Sequence, residues 1–267
     1  MKVACFSAAA LDFFPQQNAH FAGGNSLNQA VRFRQMGHAS AFLGALGTDE
    51  PGERIAALLR REGVDVSHLR RMAGPTASNQ IVNDAAGERY GVEGTWQGGV
   101  YDEYRLAEAD WEFLQGFDIW ATQANNPCYR EALARKSAGQ FLCVDFLHLR
   151  DYDLLRDSLG AVDIAYFGGT DDMAPELAAI ARAAPAGSSL LVLTLGAGGS
   201  IAFHGENVYP QPALSGGKIV DTTGCGDAFQ AAFTAGYHAA RDIPAALRAG
   251  AALGAKAAAH YGGLPWD

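Results

Sequence analysis

Cysteine, net positive charge and long apolar runs are all scarce in this sequence. The four cysteines, Cys5, Cys128, Cys143 and Cys225, are scattered and form no CxxC pair and no Cys/His cluster at a metal-ligand spacing. They therefore indicate neither a zinc site nor a disulfide framework, and they favour a reducing, cytoplasmic location. No segment approaches the uninterrupted apolar length of a membrane helix, so we expect no membrane partner.

Negative charge outweighs positive charge. The chain has 29 acidic and 20 basic residues and a net charge of -9 at neutral pH, which argues against a nucleic-acid partner. An acidic protein can still bind a nucleotide, because backbone N–H groups, a few cations and a divalent ion neutralise the phosphates locally. The P-loop motif GxxxxGK(S/T) and a GxGxxG motif after a strand are both missing, which excludes the P-loop and dinucleotide-binding classes.

The pattern that is present alternates apolar runs with helical segments. With 267 residues, 49% of them hydrophobic, the chain can bury the core of one large domain that carries a small appendage. Apolar runs at 3–8, 41–46, 117–121, 141–146, 162–167 and 190–195 alternate with segments of helical composition such as 26–36, 53–61 and 175–184. This alternation predicts an α/β fold with a central, mostly parallel sheet.

Two further regions stand apart from that alternation. Segments 78–83 and 88–92 flank the turn-forming residues 84–87, which predicts a β-hairpin separate from the main sheet, and we interpret it as a lid. The last third is rich in alanine and glycine. There we predict one helix behind residues 224–226 and a second helix from about Pro244.

The most informative segment is Asp221–Asp227, in which two glycines one residue apart lead directly into a predicted helix. Glycine permits backbone angles at which successive N–H groups converge on one phosphate, and the helix dipole adds positive potential. A carboxylate at Asp227 would then accept the proton of a hydroxyl that attacks this phosphate. An aspartate at a helix start is also a common N-cap, so this segment alone leaves both interpretations open.

Two weaker motifs suggest ligand contacts. Gly23 and Gly24 open a predicted helix, and Asn28, one turn later, offers a donor and an acceptor to adjacent hydroxyls. Asp12 lies at the end of the predicted first strand, where a carboxylate would contact a polyol. Taken alone, Asp12 is equally a turn residue and the glycine pair a loop.

A third motif, TLGAGGS at 194–200, follows a predicted strand. The carboxyl end of a strand is a usual place for a nucleotide. The alternative is a glycine-rich hairpin turn.

These motifs resemble, in order and along nearly the whole chain, the signatures of the PfkB (ribokinase-like) carbohydrate kinases. DTTGCGDAFQAAF resembles their C-terminal signature, AGGNSLNQA their N-terminal one, and TLGAGGS their nucleotide segment. The resemblance implies a three-layer α/β sandwich with a small β-sheet lid, as one domain over 1–267 with lid segments at about 13–22 and 74–100. It also implies an enzyme that transfers phosphate from ATP, with Mg²⁺, to a sugar hydroxyl.

The resemblance assigns roles to individual residues. It implies that Asp227 is the catalytic base and that Asp12 contacts the sugar. The amides of Gly224, Cys225 and Gly226 would stabilise the transferring phosphoryl group. It further implies sugar contacts from Gly23, Gly24 and Asn28 and nucleotide contacts from Thr194, Gly196, Gly199 and Ala255. In part of the family, the equivalents of Asp221 and Thr223 bind a monovalent cation such as K⁺.

The sequence departs from the family at two places. Cys225 replaces an alanine and is either a small buried hydrophobe or a reactive thiol at a helix N-terminus. The asparagine of the family's NxxE motif is missing, and Asp171 or Asp172 would have to contact Mg²⁺ through water. Both acids are equally explained as solvated charges at the start of the following helix.

The acceptor is the least determined part of the hypothesis. GGNSLNQAV, PTASNQIV and AKAAAHYGG look most like fructoselysine 6-kinases, whereas free sugars, sugar acids and nucleosides are acceptors elsewhere in the family. Gln80, Tyr90 and Glu93 on or beside the lid are candidate substrate contacts, or simply half-exposed strand residues. A non-catalytic sugar or nucleotide sensor is the alternative outside enzymes, and we expect a homodimer that pairs through the lid.

Overall fold

The computed structural model describes residues 1–185 and 189–264. Within them the strands are, in chain order, β1 (Lys2–Phe6), β2 (Ala10–Phe14), β3 (Ala19–Gly23), β4 (Ala39–Leu43), β5 (Ala45–Gly47), β6 (Arg70–Met72), β7 (Ala77–Asn83), β8 (Arg89–Gly91), β9 (Ile119–Gln123), β10 (Phe141–Asp145), β11 (Ile164–Gly168), β12 (Leu190–Thr194), β13 (Ser200–His204) and β14 (Asn207–Gln211). The helices are α1 (Asn25–Gln35), α2 (Glu50–Arg61), α3 (Glu108–Leu114), α4 (Tyr129–Arg135), α5 (Tyr152–Ser158), α6 (Ala174–Ala183), α7 (Cys225–Ala240) and α8 (Ile243–Ala257).

The main sheet has eight strands in the order β14-β13-β12-β11-β10-β9-β1-β4. The strands from β12 to β4 pair in parallel, and β13 and β14 extend the sheet antiparallel at one edge. This architecture confirms the predicted α/β fold with a mostly parallel sheet. Because parallel strands point the same way, the carboxyl ends of β1, β9, β10, β11 and β12 lie at one edge of the sheet.

Helices cover both faces of the main sheet, which makes it the middle of three layers. Helices α3, α4, α5 and α6 pack on one face, where the core includes Trp111, Trp120 and Phe146. Helices α1, α2, α7 and α8 pack on the other face around residues such as Phe33 and Phe233. Burial on both faces explains why the central strands are continuous apolar runs. None of the described helices combines the length and hydrophobicity needed to cross a bilayer.

A separate sheet, which we call the small sheet, has four strands in the order β3-β2-β7-β8. It contains the hairpin predicted at 78–92, since β7 and β8 are antiparallel neighbours around the turn at 84–87. Strand β2 joins the two halves by pairing with β3 and, in parallel, with β7. The small sheet therefore includes residues 10–23 and 77–91.

Two strand predictions were wrong in detail. Asp12 is not at the end of the first strand: β1 ends at Phe6, and Asp12 is the central residue of β2, whose alternating burial marks a strand with two different faces. The predicted strand 41–46 divides into β4 and β5 around Gly44. A side chain at Gly44 would approach the ring of Phe42 to 2.7 Å and the carbonyl oxygen of Ser7 to 2.8 Å, so only glycine fits this bend.

The two C-terminal helices are where they were predicted. Helix α7 begins directly after Gly224 and packs along α8. Helix α8 begins at Ile243, where the Asp242 side chain accepts a hydrogen bond of 2.9 Å from the amide of Ala245. Pro244 lies in the first turn, where a missing amide hydrogen has no cost.

Candidate active site

The first turn of α7 lies beside the small sheet and the start of α1. Gly224 precedes the helix in the left-handed region, with φ of 76°, and a side chain there would come within 2.6 Å of the Cα of Gly263. No side chain caps α7. The amide of Cys225 donates to the carbonyl oxygen of Thr222 at 3.1 Å, whereas those of Gly224 and Gly226 can donate to an anion, which the helix dipole favours.

The carboxylate of Asp227 is held by two asparagines rather than used as a cap. Asn25 Nδ2 donates to Asp227 Oδ1 at 2.7 Å, and Asn28 Nδ2 donates to Asp227 Oδ2 at 2.6 Å. The two asparagines are three residues apart on α1 and so face the same side of the helix. This geometry excludes the N-cap interpretation of Asp227 and leaves lone pairs on both oxygens for a further donor.

Burial raises the pKa of Asp227, whereas the hydrogen bond from Asn28 and the charge of Arg89 oppose the rise. A carboxylate with a raised pKa is a better proton acceptor than an exposed one. The physical cause is desolvation, which disfavours the charged form of a buried acid. Asp227 therefore has both the orientation and the basicity that removal of a hydroxyl proton requires.

Two other buried carboxyls accompany Asp227. Burial raises the pKa of Asp12 to about 7, and the charges of Asp227 and Asp221 add to the increase while Arg89 opposes it. Burial likewise raises the pKa of Asp145 to about 6, again with a contribution from Asp227. The region is thus confined, negatively charged and suited to hydroxyl donors or a positively charged group.

The motif around the paired glycines is assembled against these acids. A side chain at Gly23 would overlap the carboxylate of Asp12, which explains the need for glycine there. Gly24 has φ of 111°, a conformation suited to glycine, and lies before α1. Asn28 is buried, and its Oδ1 has no hydrogen-bond partner among the described residues. An unpaired buried acceptor beside the base is a place for a ligand hydroxyl.

The small sheet contacts the segment 221–223 directly. Thr222 Oγ1 donates to Glu88 Oε1 at 3.0 Å and accepts from the amide of Arg89 at 2.9 Å. Asn83 Nδ2 donates to Asp221 Oδ1 at 2.7 Å. The turn of the hairpin is therefore attached to the same segment that leads into the anion-binding end of α7.

Gln80 and Tyr90 do not reach this site within one chain. Residues 10, 12 and 14 of β2 are buried on one face of the small sheet. Because Asp12 pairs with Asn79, residues 79, 81 and 83 of β7 lie on that same face. Gln80 alternates with these residues, and Tyr90 pairs with Val82, so both lie on the opposite face of the small sheet. Glu93 lies beyond β8 and is exposed. The structure thus brings Asp12 to the site and places Gln80 and Tyr90 on the opposite face of the small sheet, so their substrate contacts stay predictions.

Asp221 and Thr223 do not form a fitting cation site. Asp221 is fully buried, and its Oδ1 accepts from Asn83, from the Thr223 amide at 3.0 Å and from Thr223 Oγ1 at 2.8 Å. Its Oδ2 accepts from the Gly262 amide at 2.7 Å. Four donors point their hydrogens at this carboxylate, and a cation would have to displace them. The expected K⁺ ligands are therefore occupied by hydrogen bonds that join three segments of the chain.

The acids considered for Mg²⁺ differ from each other. Arg150 donates to both oxygens of Asp172, at 2.8 and 3.2 Å, and Thr170 Oγ1 donates as well, so the pKa of Asp172 is lowered to about 2. Asp171 is exposed and lies beyond the carboxyl end of β11. Asp171 suits a contact through water, whereas Asp172 is already paired. In the described residues no group of three or more His, Cys, Asp or Glu side chains could hold a metal ion.

The candidate nucleotide segment has the shape of a hairpin connection. Thr194 ends β12, a short 3-10 turn covers 196–198, and β13 returns antiparallel from Ser200. Gly199 has φ of 94°, and a side chain there would overlap the Gln211 carbonyl. The connection nonetheless lies at the carboxyl edge of the parallel strands, and Gly196 is next to Glu88 of the small sheet. Ala255 lies in the last turns of α8, against Gly216.

Cys225 is a poor nucleophile in this setting. Burial raises the pKa of its thiol to about 12, and the charges of Asp221 and Asp227 contribute. Burial is the larger cause, and the charge of Arg32 opposes the increase only in part. The structure favours the small hydrophobe over the reactive thiol.

Three residues at the site were missed from the sequence. Asn25 follows the glycine pair and contacts the base, Asp145 ends β10, and Arg89 lies on β8. Asp145 had an available signal, because an acid at the carboxyl end of a buried strand reaches the ligand edge. Asn25 and Arg89 had none, since their relevance depends on pairing between distant segments.

Comparison with known proteins agrees with this geometry. The family model "pfkB family carbohydrate kinase" matches residues 11–265. Fructosamine kinase FrlD of Bacillus subtilis is 31% identical over 98% of this chain and 92% of its own. Fructoselysine 6-kinase of Escherichia coli is 29% identical over 94% and 95% of the two chains.

Solved structures agree on the fold. Adenosine kinase from Sinorhizobium meliloti superposes with a TM-score of 0.83 at 21% identity, covering 99% of this chain and 95% of the other. Arabidopsis thaliana ribokinase, complexed with ribose and ATP, superposes with a TM-score of 0.78 at 22% identity, covering 98% and 93%. The uncapped start of α7, the carboxylate of Asp227 beside it and the match over almost the full length lead to one conclusion: the chain belongs to the pfkB family of carbohydrate kinases and is an ATP-dependent sugar kinase.

Proposed function

We propose that this kinase phosphorylates a fructosamine such as fructoselysine, at the sugar 6-hydroxyl. The observation that carries the proposal is the carboxylate of Asp227, fixed by Asn25 and Asn28 beside the uncapped start of α7. The fructosamine and fructoselysine kinases among its relatives support the choice of acceptor. ATP as the donor favours a cytoplasmic reaction.

The reaction follows from the positions of these groups. The acceptor hydroxyl gives its proton to Asp227 as its oxygen bonds to the γ-phosphorus of ATP, and the bond from that phosphorus to the bridging oxygen breaks to release ADP. The amides of Gly224 and Gly226 stabilise the charge on the transferring group, and the amide of Cys225 would join them by releasing the carbonyl oxygen of Thr222. When bound, Mg²⁺ neutralises phosphate charge, and Asp171 is the residue that would contact it through water.

The charge of the acceptor pocket favours an amine-bearing sugar. Asp12 and Asp145 are buried beside the partly buried Asp227, and the charge of Asp227 raises the pKa of both. The secondary ammonium of a fructosamine would lower this repulsion, whereas a neutral free sugar would not. Asp12 on the small sheet is the acid we assign to contact the substrate, with Gly23 and Gly24 letting the backbone approach its hydroxyls. Asn28 Oδ1 would accept from one of those hydroxyls.

The nucleotide would lie along Thr194, Gly196 and Gly199, with its base near Ala255 at the end of α8. The small sheet would close over both ligands and exclude water, which is a competing phosphoryl acceptor. Its edge strand β8 is unpaired on one side, and Tyr90 and Trp96 are 52% and 47% exposed. We propose that these residues pair the lids of a homodimer.

The test measures ATP consumption against fructoselysine, other fructosamines, fructose, ribose, a keto-sugar acid and nucleosides, with Asp227→Asn beside the wild type. We expect turnover with fructosamines, and a loss of at least about a thousandfold in Asp227→Asn with folding and ATP binding largely preserved. Turnover confined to another acceptor would retain the kinase and reject the fructosamine. Ligand binding without any turnover would identify a sensor, and near-normal turnover of Asp227→Asn would reject the base.

A further inference from the structure

Asn25 contacts two carboxyls with one amide group, that of the buried Asp145 and that of the partly buried Asp227. Its Nδ2 lies 2.7 Å from Asp227 Oδ1 and 2.9 Å from Asp145 Oδ2. A side-chain amide has two N–H hydrogens, so each carboxylate receives one of them. A third contact, to Gln230 Oε1, is longer at 3.4 Å. Asn25 therefore links the base, at the start of α7, to an acid at the end of β10.

The orientation of this amide is fixed by two glutamines. Gln29 Nε2 donates to Asn25 Oδ1 at 3.0 Å and to Gln230 Oε1 at 2.7 Å. Gln29 and Gln230 are both buried, and Gln230 also hydrogen-bonds Asp145. Because Asn25 Oδ1 is already an acceptor, the amide cannot flip without losing three bonds. The network thus presents Asn25 to both carboxyls only as a donor.

We propose that Asn25 is a positioning residue that couples the base Asp227 to Asp145, so that the two carboxyls titrate as a pair. The role of Asp227 as base rests on the proposed function. Asp145 keeps its other oxygen bonded to the amide of Leu147 at 2.7 Å, so the backbone at the end of β10 fixes its position. Neither carboxyl can move without disturbing the other.

Other charged groups face the pair from several elements. They are Asp12 on β2, Asp221 and Cys225 around the start of α7, Arg32 on α1, Arg89 on β8, and His148 next to Asp145. Arg32 donates to the carbonyl oxygen of Gly263 and to Gln35 instead of to Asp227. In the described part of the chain, the side-chain donors to Asp227 are therefore Asn25 and Asn28.

The coupling has a chemical consequence. When Asp227 takes the hydroxyl proton its charge disappears, while Asp145 keeps its charge and its bond from Asn25. The repulsion between the two acids is relieved in that step, which favours proton transfer to Asp227. At low pH a proton bound by either acid lowers the basicity of the site, so the acid limb of the pH profile belongs to the pair.

The experiment compares wild type with Asn25→Ala by measuring kcat/KM between about pH 5 and pH 9, using the best acceptor from the panel above. Removing the shared donor should move the acid limb to higher pH by about one unit. Ser26→Ala is the matched control, because Ser26 is the next residue, buried and without a hydrogen-bond partner, and we expect no shift. A fall in kcat/KM that is equal at every pH would show a packing role and overturn the proposal.

A second measurement does not depend on activity. Titration of ¹³C-labelled aspartate carboxyls by NMR should show both Asp145 and Asp227 responding in the same two steps in wild type, and higher midpoints in Asn25→Ala. Asn25→Ser, which is smaller but polar, replaces it if the alanine variant does not fold. Independent one-step titrations in the wild type would overturn the coupling. If no acceptor is phosphorylated, the proposed function is rejected, but this titration still tests whether Asp145 and Asp227 are coupled.

Discussion

Ionisation of the Asp12 carboxyl lowers the stability of the folded protein. It is buried in β2, and its pKa is raised to about 7 by burial. A raised carboxyl pKa means that the folded protein binds the proton more tightly than the unfolded chain does. The cost is therefore present above the folded pKa and disappears as the pH falls towards the usual value of about 4.

We predict that Asp12→Asn stabilises the protein at high pH while it removes a substrate contact. At about pH 8.5 the variant should be more stable by about 1–3 kcal/mol, and the difference should shrink as the pH falls through 7 and vanish only near pH 4, where Asp12 is protonated in the unfolded chain as well. The measurement is urea denaturation at both pH values. Asp157→Asn, at an exposed position, is the control and should show no pH-dependent difference.

The same substitution should weaken catalysis, because an amide accepts hydrogen bonds less strongly than a carboxylate and carries no charge. We expect kcat/KM for a fructosamine to fall by about tenfold or more, mostly through KM. A variant with lower stability at pH 8.5 would contradict the burial cost, and unchanged KM would remove Asp12 from the substrate contacts.

At the scale of one element, the start of α7 depends on a glycine that precedes it. Gly224 is left-handed, and the Cα of Gly263 is close to where its side chain would be. Gly226, two residues later, is within α7, and a side chain there would meet no atom within 4 Å. The backbone and packing thus require glycine at position 224, but they give no steric reason for glycine at 226.

We predict that Gly224→Ala destabilises the protein by about 2–3 kcal/mol, from the strained φ and the close contact. Gly226→Ala should leave stability unchanged or raise it slightly, because alanine is the better helix former. Thermal unfolding of both variants measures this difference. Equal destabilisation by the two substitutions would mean that the left-handed turn does not decide how α7 begins.

In the small sheet, the hairpin could be predicted from the sequence, but the face on which its side chains lie could not. The hairpin was predictable because its turn residues and alternating strands are local signals. The face that Gln80 and Tyr90 occupy was not, because alternation gives two faces without saying which one is covered. Which face is covered is set by the parallel pairing of β7 with β2, which lies more than sixty residues away in the chain.

At the scale of the whole molecule, the site residues that could be predicted are those that lie in short sequence motifs. Asp12, Asn28 and Asp227 were each placed by a short segment, and the parallel sheet brings such segments to one edge. Asn25 was missed because its role depends on contacts between α1, β10 and α7, whereas Asp145 had a signal in its place at the carboxyl end of β10. The hydrogen bonds of Asp221 could not be predicted either, since its donors come from segments far apart in the chain, and its role as a cation ligand stays a prediction.

Asp221 connects the small sheet, the start of α7 and the C-terminal segment through Asn83, Thr223 and Gly262. An amide at this position would turn a hydrogen donor towards at least one of these donors. We predict that Asp221→Asn destabilises the protein by about 2–4 kcal/mol, and that Thr223→Val, which removes one donor, costs about 1 kcal/mol.

The same arrangement predicts how the enzyme responds to monovalent cations. Because hydrogen bonds occupy both oxygens of Asp221, replacing K⁺ by Na⁺ at constant ionic strength should leave kcat and KM within about twofold. Steady-state assays in the two salts measure this, with a bulky organic cation as the control for ionic strength. Activation confined to K⁺ would mean that the carboxylate exchanges its donors for a cation during turnover, and the small sheet would then have to release Asn83 from Asp221.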